Sequence, residues 1–458
     1  MVAKNILETI GNTPLVELTR TDTGVCRLFM KLENQNPGGS IKDRVGLFMI
    51  NEAEKQGIIH PGDTIVEATA GNTGIGLALV ARLKGYKLVL VIPDKMSQEK
   101  INHLRALDTE IIITRSDVGK GHPEYYQDYA RRIAMERGAY YINQFENPTN
   151  PLAHEKTTAP EIWEQMEQHV DAIVVGVGSS GTITGLTHFF KKFSPQTEFI
   201  LADPKGSILA DYVNHGVLRT NADSWLVEGI GEDFIPDIAD LSMTRKAYTV
   251  SDRESFEAVR ELLRNEGILA GSSTGTLLNA AIRYCREQTT PKRVVTLACD
   301  GGNKYLSKMF NDYWLADQGF TESKHYGDLR DLITRRFADN AIIYTRPKDT
   351  LKTVYGRFKL YDISQIPVME NKKTVGIIDE SDLLLALNSG IHTTETLVEK
   401  IMKKDLVTVA HTASTAELLR IFDNGMVAIV EGPEGCFEGL ITRIDFINYL
   451  HRTNYYRK

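Results

Sequence analysis

Over the first 320 residues, short apolar runs alternate with stretches whose apolar residues recur at three- and four-residue spacing. The runs predict strands at 64–67, 87–92, 110–114, 172–177, 199–202 and 294–298. The amphipathic stretches predict helices between them, including 74–83, 98–107 and 255–266. Strands and helices in alternation predict an α/β fold with mostly parallel sheets. Around 316–340 the chain turns polar and charged without a clear strand, so a partly helical linker is expected at 321–340.

Beyond the linker the pattern repeats. VGIIDESDLLLAL (375–387) aligns without gaps on EGLITRIDFINYL (438–450). Each copy has a glycine, a short apolar strand, an aspartate four residues past the strand's last isoleucine, and an apolar helix. A polar segment, a helix and another strand precede each: ISQIPVME in one copy, MVAIVEG in the other. Two copies of a βαβ-type unit predict a pseudo-symmetric pair at 341–458, a second α/β domain after a first at 1–320.

Composition narrows the classes. Of 458 residues 42% are hydrophobic and 25% charged, and the net charge is -7. This describes an ordinary globular chain without the basic footprint of a nucleic-acid binder. The apolar runs are too short to span a membrane. Cys26, Cys285, Cys299 and Cys436 form no CxxC pair, which suits reduced thiols. The N-terminus lacks a signal pattern, so a cytoplasmic location is expected.

Three segments carry chemistry. Asn36-Pro-Gly-Gly-Ser-Ile-Lys42-Asp-Arg44 makes a tight turn and then a helix beginning at Ser40, with Lys42 in its first turn. A lysine that is desolvated there has a lowered pKa and suits a Schiff base, although in isolation an exposed helix lysine reads the same. Glu67-Ala-Thr69-Ala70-Gly71-Asn72-Thr73-Gly74 follows a strand and opens a helix, a cradle for a carboxylate. Val174-Val-Gly176-Val-Gly178-Ser179-Ser180-Gly181-Thr182 does the same with a glycine-serine loop suited to phosphate. Gly176, Gly178 and Gly181 also fit the dinucleotide fingerprint GxGxxG, with Asp203 about twenty residues on, so a nicotinamide-dependent dehydrogenase competes on this segment. That reading gives no role to Lys42 or to Gly271-Ser-Ser273-Thr-Gly275.

Taken together, the segments resemble the fold-type II pyridoxal-phosphate enzymes, in the cystathionine β-synthase and cysteine synthase branch. ETIGNTPLV, NPGGSIKDR, EATAGNTGIG, NQFENPTNPLAH, GVGSSGTITG, DPKGS, VEGIGEDFIP and GSSTGT occur in family order across about residues 5–320. The C-terminal repeat resembles the paired Bateman-type regulatory modules named after the same enzyme. The resemblance implies pyridoxal 5'-phosphate bound covalently to Lys42. Asn72 would face its ring oxygen, Ser273 its pyridine nitrogen, and Gly178, Ser179, Ser180, Gly181 and Thr182 its phosphate. Thr69, Ala70, Gly71, Asn72 and Thr73, with Gln144 opposite, would take the substrate carboxylate.

The implied reaction is β-replacement, with serine and homocysteine giving cystathionine as first choice. O-acetylserine is the alternative donor, and sulfide or cysteine the alternative nucleophiles. A homodimer is the family expectation, and the haem-binding extension of animal members is missing, so no haem is expected. Ala70 replaces a family serine, Ser179-Ser180 replaces Thr-Gly, and Phe145 matches the cysteine synthases where animal cystathionine β-synthases have tyrosine. In the second module Thr442 and Asp445 would hold the ribose side of S-adenosylmethionine or an adenine nucleotide. The first module has Asp379 and Asp382 at those positions. A purely structural module pair, and a non-catalytic sensor, are the remaining alternatives.

Overall fold

The computed structural model describes residues 2–69, 71–94, 96–119, 121–218, 222–320 and 325–455. The chain forms two compact units, Met1–Phe310 and Asn311–Lys458.

The first unit holds two sheets. One runs in the order Leu15–Glu17, Arg27–Lys31, Arg293–Leu297, Ala172–Val175, Glu198–Pro204, Thr244–Val250. All its pairings are parallel except the first, Leu15 opposite Lys31. The other, Glu110–Thr114, Lys87–Pro93, Thr64–Ala68, Tyr140–Tyr141, is parallel throughout. Continuous apolar runs such as AIVV, buried at every position, are what a parallel sheet covered on both faces requires. The six expected strands all form. Of the strands the pattern missed, Arg27–Lys31 lies inside its sheet, between Leu15–Glu17 and Arg293–Leu297, and its charged ends break the apolar run; the other three lie at sheet edges. Leu15–Glu17 and Tyr140–Tyr141 are too short to show a period, and Thr244–Val250 opens with the polar run Thr-Arg-Lys.

Two helices, Lys42–Lys55 and Asn72–Lys84, carry the lysine and asparagine singled out from the sequence. The first starts two residues later than the sequence suggests, so Lys42 is its first residue. The helices meet at glycines. A Cβ on Gly76 would lie 2.5 Å from the Lys42 carbonyl oxygen, and one on Gly46 2.7 Å from the Gly76 carbonyl carbon. Only the absence of side chains lets the backbones approach this closely.

The second unit contains the repeat as two small sheets. In one, Gln365–Glu370 pairs antiparallel with Lys373–Asp379, and in the other Ala428–Glu431 pairs antiparallel with Phe437–Ile441. The βαβ element is complete in the second copy, where Thr408–Ala410 runs parallel to Ala428–Glu431 across the helix Thr415–Asp423. In the first copy it shrinks to one parallel bridge, Thr345 with Val368. The polar stretch read as a linker contributes Leu329, Leu332 and Ile333 to a buried cluster with Leu418, Val430 and Ile441. Among the described residues no helix is long and apolar enough to cross a membrane.

Candidate active site

The start of the Lys42 helix is fixed from below by buried charge. Arg44 donates from Nε to Glu33 at 2.7 Å and from Nη1 to Glu161 at 2.7 Å. Lys31 reaches the same Glu161 at 2.8 Å. Burial pushes the Glu161 carboxyl up, but the hydrogen bonds and charge of Arg44 and Lys31 outweigh it and hold it at about 2. Broken from one side, such a frame leaves a buried charge uncompensated. Asp43, wholly buried, accepts from the Gly38 N–H at 2.5 Å, and burial pushes it to about 6.

Above this frame sits the Lys42 amine. It makes no hydrogen bond or ion pair with any described residue, and the side chain stays partly open. Burial pulls its pKa below that of an ordinary lysine, against the opposing pull of Cys299 and Asp300. Cys299 lies two residues past the Arg293–Leu297 strand, and its carbonyl accepts from the Ile41 N–H at 2.9 Å. Burial pushes its thiol up to about 12. That thiol meets the hydroxyl of Ser273, in the first turn of the helix Ser272–Arg286. The chain therefore brings Lys42, Asn72 and Ser273 around one strand end, although more than 200 residues separate the first from the last.

Asn72 opens its helix with both ends of its amide engaged. Nδ2 donates to Asp300 at 2.8 Å and Oδ1 accepts from Lys304 at 3.0 Å. Asp300 also accepts from the Tyr305 hydroxyl at 2.6 Å, which in turn accepts from Lys100 at 2.8 Å. Glu228 bridges Lys100 and Lys308, 2.7 Å from each. Glu228 lies in the family segment VEGIGEDFIP, whereas Lys100 and Lys308 lie in none of the family segments. Asp300 and Lys304 sit in Ala298-Cys-Asp-Gly-Gly-Asn-Lys304, whose position at a strand end was the signal available.

The loop after Thr64–Ala68 and Gln144 also come together. Thr73 Oγ1 donates to Gln144 Oε1 at 2.7 Å, Gln144 Nε2 donates to the Ala68 carbonyl at 3.2 Å, and Thr69 Oγ1 accepts from the Gly71 N–H at 3.1 Å. Ala70, assigned to the same cradle, lies outside the described residues. Beneath lies Glu67, fully buried, whose carboxyl burial pushes to about 8 against hydrogen bonds from the Gln144 and Asn143 backbone.

The glycine-serine loop leads from Ala172–Val175 into the helix Gly181–Phe193. Ser180 takes a left-handed conformation (φ 64), and its buried hydroxyl has no partner. A Cβ on Gly178 would lie 2.5 Å from the Gly229 oxygen, so only glycine fits. Ser179 Oγ accepts from Asn150, which also donates to the Gln144 carbonyl and so joins this loop to the carboxylate cradle. Thr182 lies 3.3 Å from His154 Nε2. His154 is buried, and desolvation followed by the Lys42 and Arg44 charges keeps it neutral. The helices at Asn72, Gly181 and Ser272 have no side-chain cap, and at Lys42 the one side-chain acceptor is Ser40 Oγ, 3.2 Å from the Lys42 backbone nitrogen. Their N–H groups, the orphaned Ser180 hydroxyl and the unpartnered Lys42 amine fit an aldehyde cofactor bearing a phosphate. Asp203, the fingerprint's ribose ligand, is buried; its Oδ2 accepts from the Ala210 N–H at 2.8 Å, and its Oδ1 has no partner. Among the described residues no cluster of His, Cys, Asp and Glu is arranged to hold a metal ion.

In the second unit, Asp445 Oδ2 accepts from the Thr442 N–H at 2.8 Å and from its hydroxyl at 2.5 Å, and Oδ1 accepts from Thr334 at 2.6 Å. Thr442 and Asp445 thus bond to each other and cap the last helix.

Known proteins place this architecture. The pyridoxal-phosphate dependent enzyme family matches residues 6–300, and the CBS domain matches 329–389 and 398–452. A cystathionine β-synthase of Dictyostelium discoideum is 35% identical over 99% of this chain and 93% of its own. Cysteine synthase 1 of Neurospora crassa is 42% identical over 69% of this chain and 85% of its own. The crystal structure of an O-acetylserine dependent cystathionine β-synthase from Helicobacter pylori superposes with a TM-score of 0.62 at 36% identity, covering 67% of this chain and 98% of that one.

Proposed function

Because the chain belongs to the pyridoxal-phosphate-dependent enzymes of the cystathionine β-synthase family, we propose that it condenses L-serine with L-homocysteine to L-cystathionine and water. The observation that carries the reading is the Lys42 amine, without a partner among the described residues and held below its ordinary pKa, facing Cys299 and the Asp300 that Asn72 binds. Pyridoxal phosphate, when bound, supplies the electron storage that makes the substrate α-proton removable.

The chain's own groups do the rest. Gly178, Ser179, Ser180, Gly181 and Thr182 hold the phosphate, and Asn72 and Ser273 orient the ring. Ser273, a neutral hydroxyl, does not enforce a protonated pyridine as a carboxylate would. That favours elimination over transamination. Residues 69–73 and Gln144 fix the substrate carboxylate, which aligns the α-proton with Lys42. Lys42 Nζ takes that proton and later returns one to the same carbon. The β-hydroxyl departs as water, the homocysteine sulfur takes its place, and the thiol proton completes the balance. In this sense the reaction is that of a hydro-lyase.

One observation supports O-acetylserine as a second donor. Phe145 is buried against Phe234 with ring centroids 5.7 Å apart, a side chain without the hydroxyl of the animal enzymes. Steady-state kcat/KM for serine and O-acetylserine, each with homocysteine and with sulfide, separates the readings. Serine with homocysteine should give the highest value, and a preference for O-acetylserine with sulfide would replace the proposal with cysteine synthesis. Hydrogen sulfide release from cysteine follows from the same chemistry.

Regulation belongs to the second unit, where Thr442 and Asp445 would hold S-adenosylmethionine or an adenine nucleotide. The proposal includes a cytoplasmic homodimer without haem. Light scattering checks the dimer, and a Soret band in the purified protein would overturn the last point.

A further inference from the structure

We propose that Lys304 is a positioning residue of the cofactor site, fixing the Asn72 amide in one orientation and tying it to the turn that carries Lys42. Lys304 belongs to the short helical turn Gly302–Tyr305 and is buried, 4% exposed. Its ammonium has three hydrogens and meets three neutral oxygens: Gly38 O at 3.1 Å, Gly39 O at 3.0 Å and Asn72 Oδ1 at 3.0 Å. No carboxylate lies within hydrogen-bonding distance of it among the described residues. The lysine therefore acts here as a three-way clamp.

The clamp decides an ambiguity. A side-chain amide can be turned over, exchanging oxygen for nitrogen, and only its partners choose between the two arrangements. An ammonium donates only, and a carboxylate accepts only. With Lys304 on one side of Asn72 and Asp300 2.8 Å away on the other, one orientation satisfies both. In the other, an NH2 would face the ammonium and a carbonyl oxygen would face the carboxylate, both away from water. The chosen orientation leaves the second Nδ2 hydrogen as the one side-chain donor of Asn72 still available. A ring oxygen needs that donor, so the inference rests on the proposal that the site holds pyridoxal phosphate.

The same clamp reaches the lysine-bearing turn. Gly39 has φ +75, and a Cβ there would lie 3.5 Å from the Lys304 Cε and Nζ. Asp43 holds the Gly38 N–H on the opposite side. Lys304 thus links the entrance of the Lys42 helix to the first residue of the Asn72 helix. Burial lowers its pKa to about 8 against the pull of Asp300 and Asp43, with Lys100 adding to the lowering.

The test is a double-mutant cycle on the full-length holoenzyme with Asn72→Ala and Lys304→Met, read by equilibrium dissociation of pyridoxal phosphate and by the absorption maximum of the bound cofactor. Each single change should weaken cofactor binding about tenfold, the scale of one buried hydrogen bond. Lys304→Met should also move the absorption maximum. In the Asn72→Ala background Lys304→Met should add less than about twofold, because the amide it orients is gone. Lys304→Arg keeps the charge and donors and should recover most of the affinity. Fully additive effects, or a Lys304→Met protein with unchanged affinity and spectrum, would overturn the inference. If Lys304→Met does not fold, Lys304→Gln carries the same cycle. An Asn72→Ala protein that binds the cofactor normally would instead refute the assigned role of Asn72.

Discussion

The helix starts of the two units are built on opposite plans. In the first unit, the helices at Asn72, Gly181 and Ser272 begin without side-chain caps, all within the candidate site. Elsewhere in that unit both kinds occur: Asp252–Glu266 carries a complete capping box from Ser251 and Glu254, whereas Tyr126–Arg137 has no side-chain cap. In the second unit the helices cap themselves. Thr350, Ser414 and the reciprocal pair Asp379 and Asp382 each satisfy backbone donors, and Thr442 with Asp445 does the same. An uncapped start leaves N–H groups that a ligand can satisfy, at a cost of about 1 kcal/mol per missing cap. The first unit keeps donors uncommitted where a phosphate and a carboxylate are proposed to bind, and the modules commit theirs to the fold.

The sharpest break of this contrast is Lys42→Ala. The variant should lose the cofactor's visible absorption and at least about 1000-fold in turnover, the range expected when a proton-transferring group is removed. An intact absorption band would place the covalent lysine elsewhere, as borohydride reduction and peptide mapping would then reveal.

Next in size is the ionic frame that holds the Lys42 helix in place. Arg44→Met leaves Glu33 and Glu161 facing each other without their shared cation and should destabilise the unit by about 3–5 kcal/mol in denaturant unfolding. Glu161 gives this a pH signature. Its folded pKa of about 2 lies below its ordinary value of 4.5. The associated stability, about 3 kcal/mol, is present above pH 4.5 and is lost as pH falls through about 2. Glu161→Gln should flatten that acid limb, and an unchanged limb would show that the frame contributes nothing there.

Smaller again is the conversion of an open start into an occupied one. Ser180 already takes the left-handed conformation that aspartate tolerates. Ser180→Asp sets a carboxylate among the uncapped N–H groups, where it competes with phosphate for donors and repels it. Cofactor affinity should fall about 30-fold, a Coulomb penalty of roughly 2 kcal/mol at the effective dielectric of a partly buried site. Thermal stability without cofactor should not fall. Unchanged affinity would mean that the phosphate lies away from this loop.

Much of this contrast was legible in the sequence, unevenly. Buried parallel strands announce themselves because each is a continuous apolar run, and the glycine-rich turns because few residues can replace glycine. Lys304, Asp300 and Tyr305 were not legible, since one lysine and one tyrosine in a polar turn carry no period, and their role appears only when residues 38, 39 and 72 fold against them. The polar stretch 325–340 hid three core residues, Leu329, Leu332 and Ile333, because their spacing is too short to stand out among charges. Capping boxes were half legible. Thr442 and Asp445 are the expected ligand residues and Asp379 and Asp382 stand at the matching positions of the first copy; the first use of all four is to satisfy their own helices.

The two modules differ from each other as well, and that difference supports the finest prediction. Met402 packs where a Cβ on Gly376 would stand, 2.7 Å from its Sδ, and Ile333 occupies the matching place at Gly439. The next residue along each segment is Lys403 in one copy and Thr334 in the other. Lys403 reaches Asp379 at 2.9 Å and Asp382 at 2.8 Å, whereas Thr334 offers only a hydroxyl to Asp445. A ribose diol donates to carboxylates, so an ammonium already seated on the acid pair competes with it directly. Calorimetry of the full-length protein with S-adenosylmethionine, and separately with an adenine nucleotide, should therefore find one site per chain, abolished by Asp445→Ala. Lys403→Thr should add a second, weaker site, while changing stability by less than about 1 kcal/mol, since an exposed ion pair contributes little. Two sites in the unaltered protein would show that the lysine closes nothing, and none in either protein would leave both modules as self-capped scaffolding.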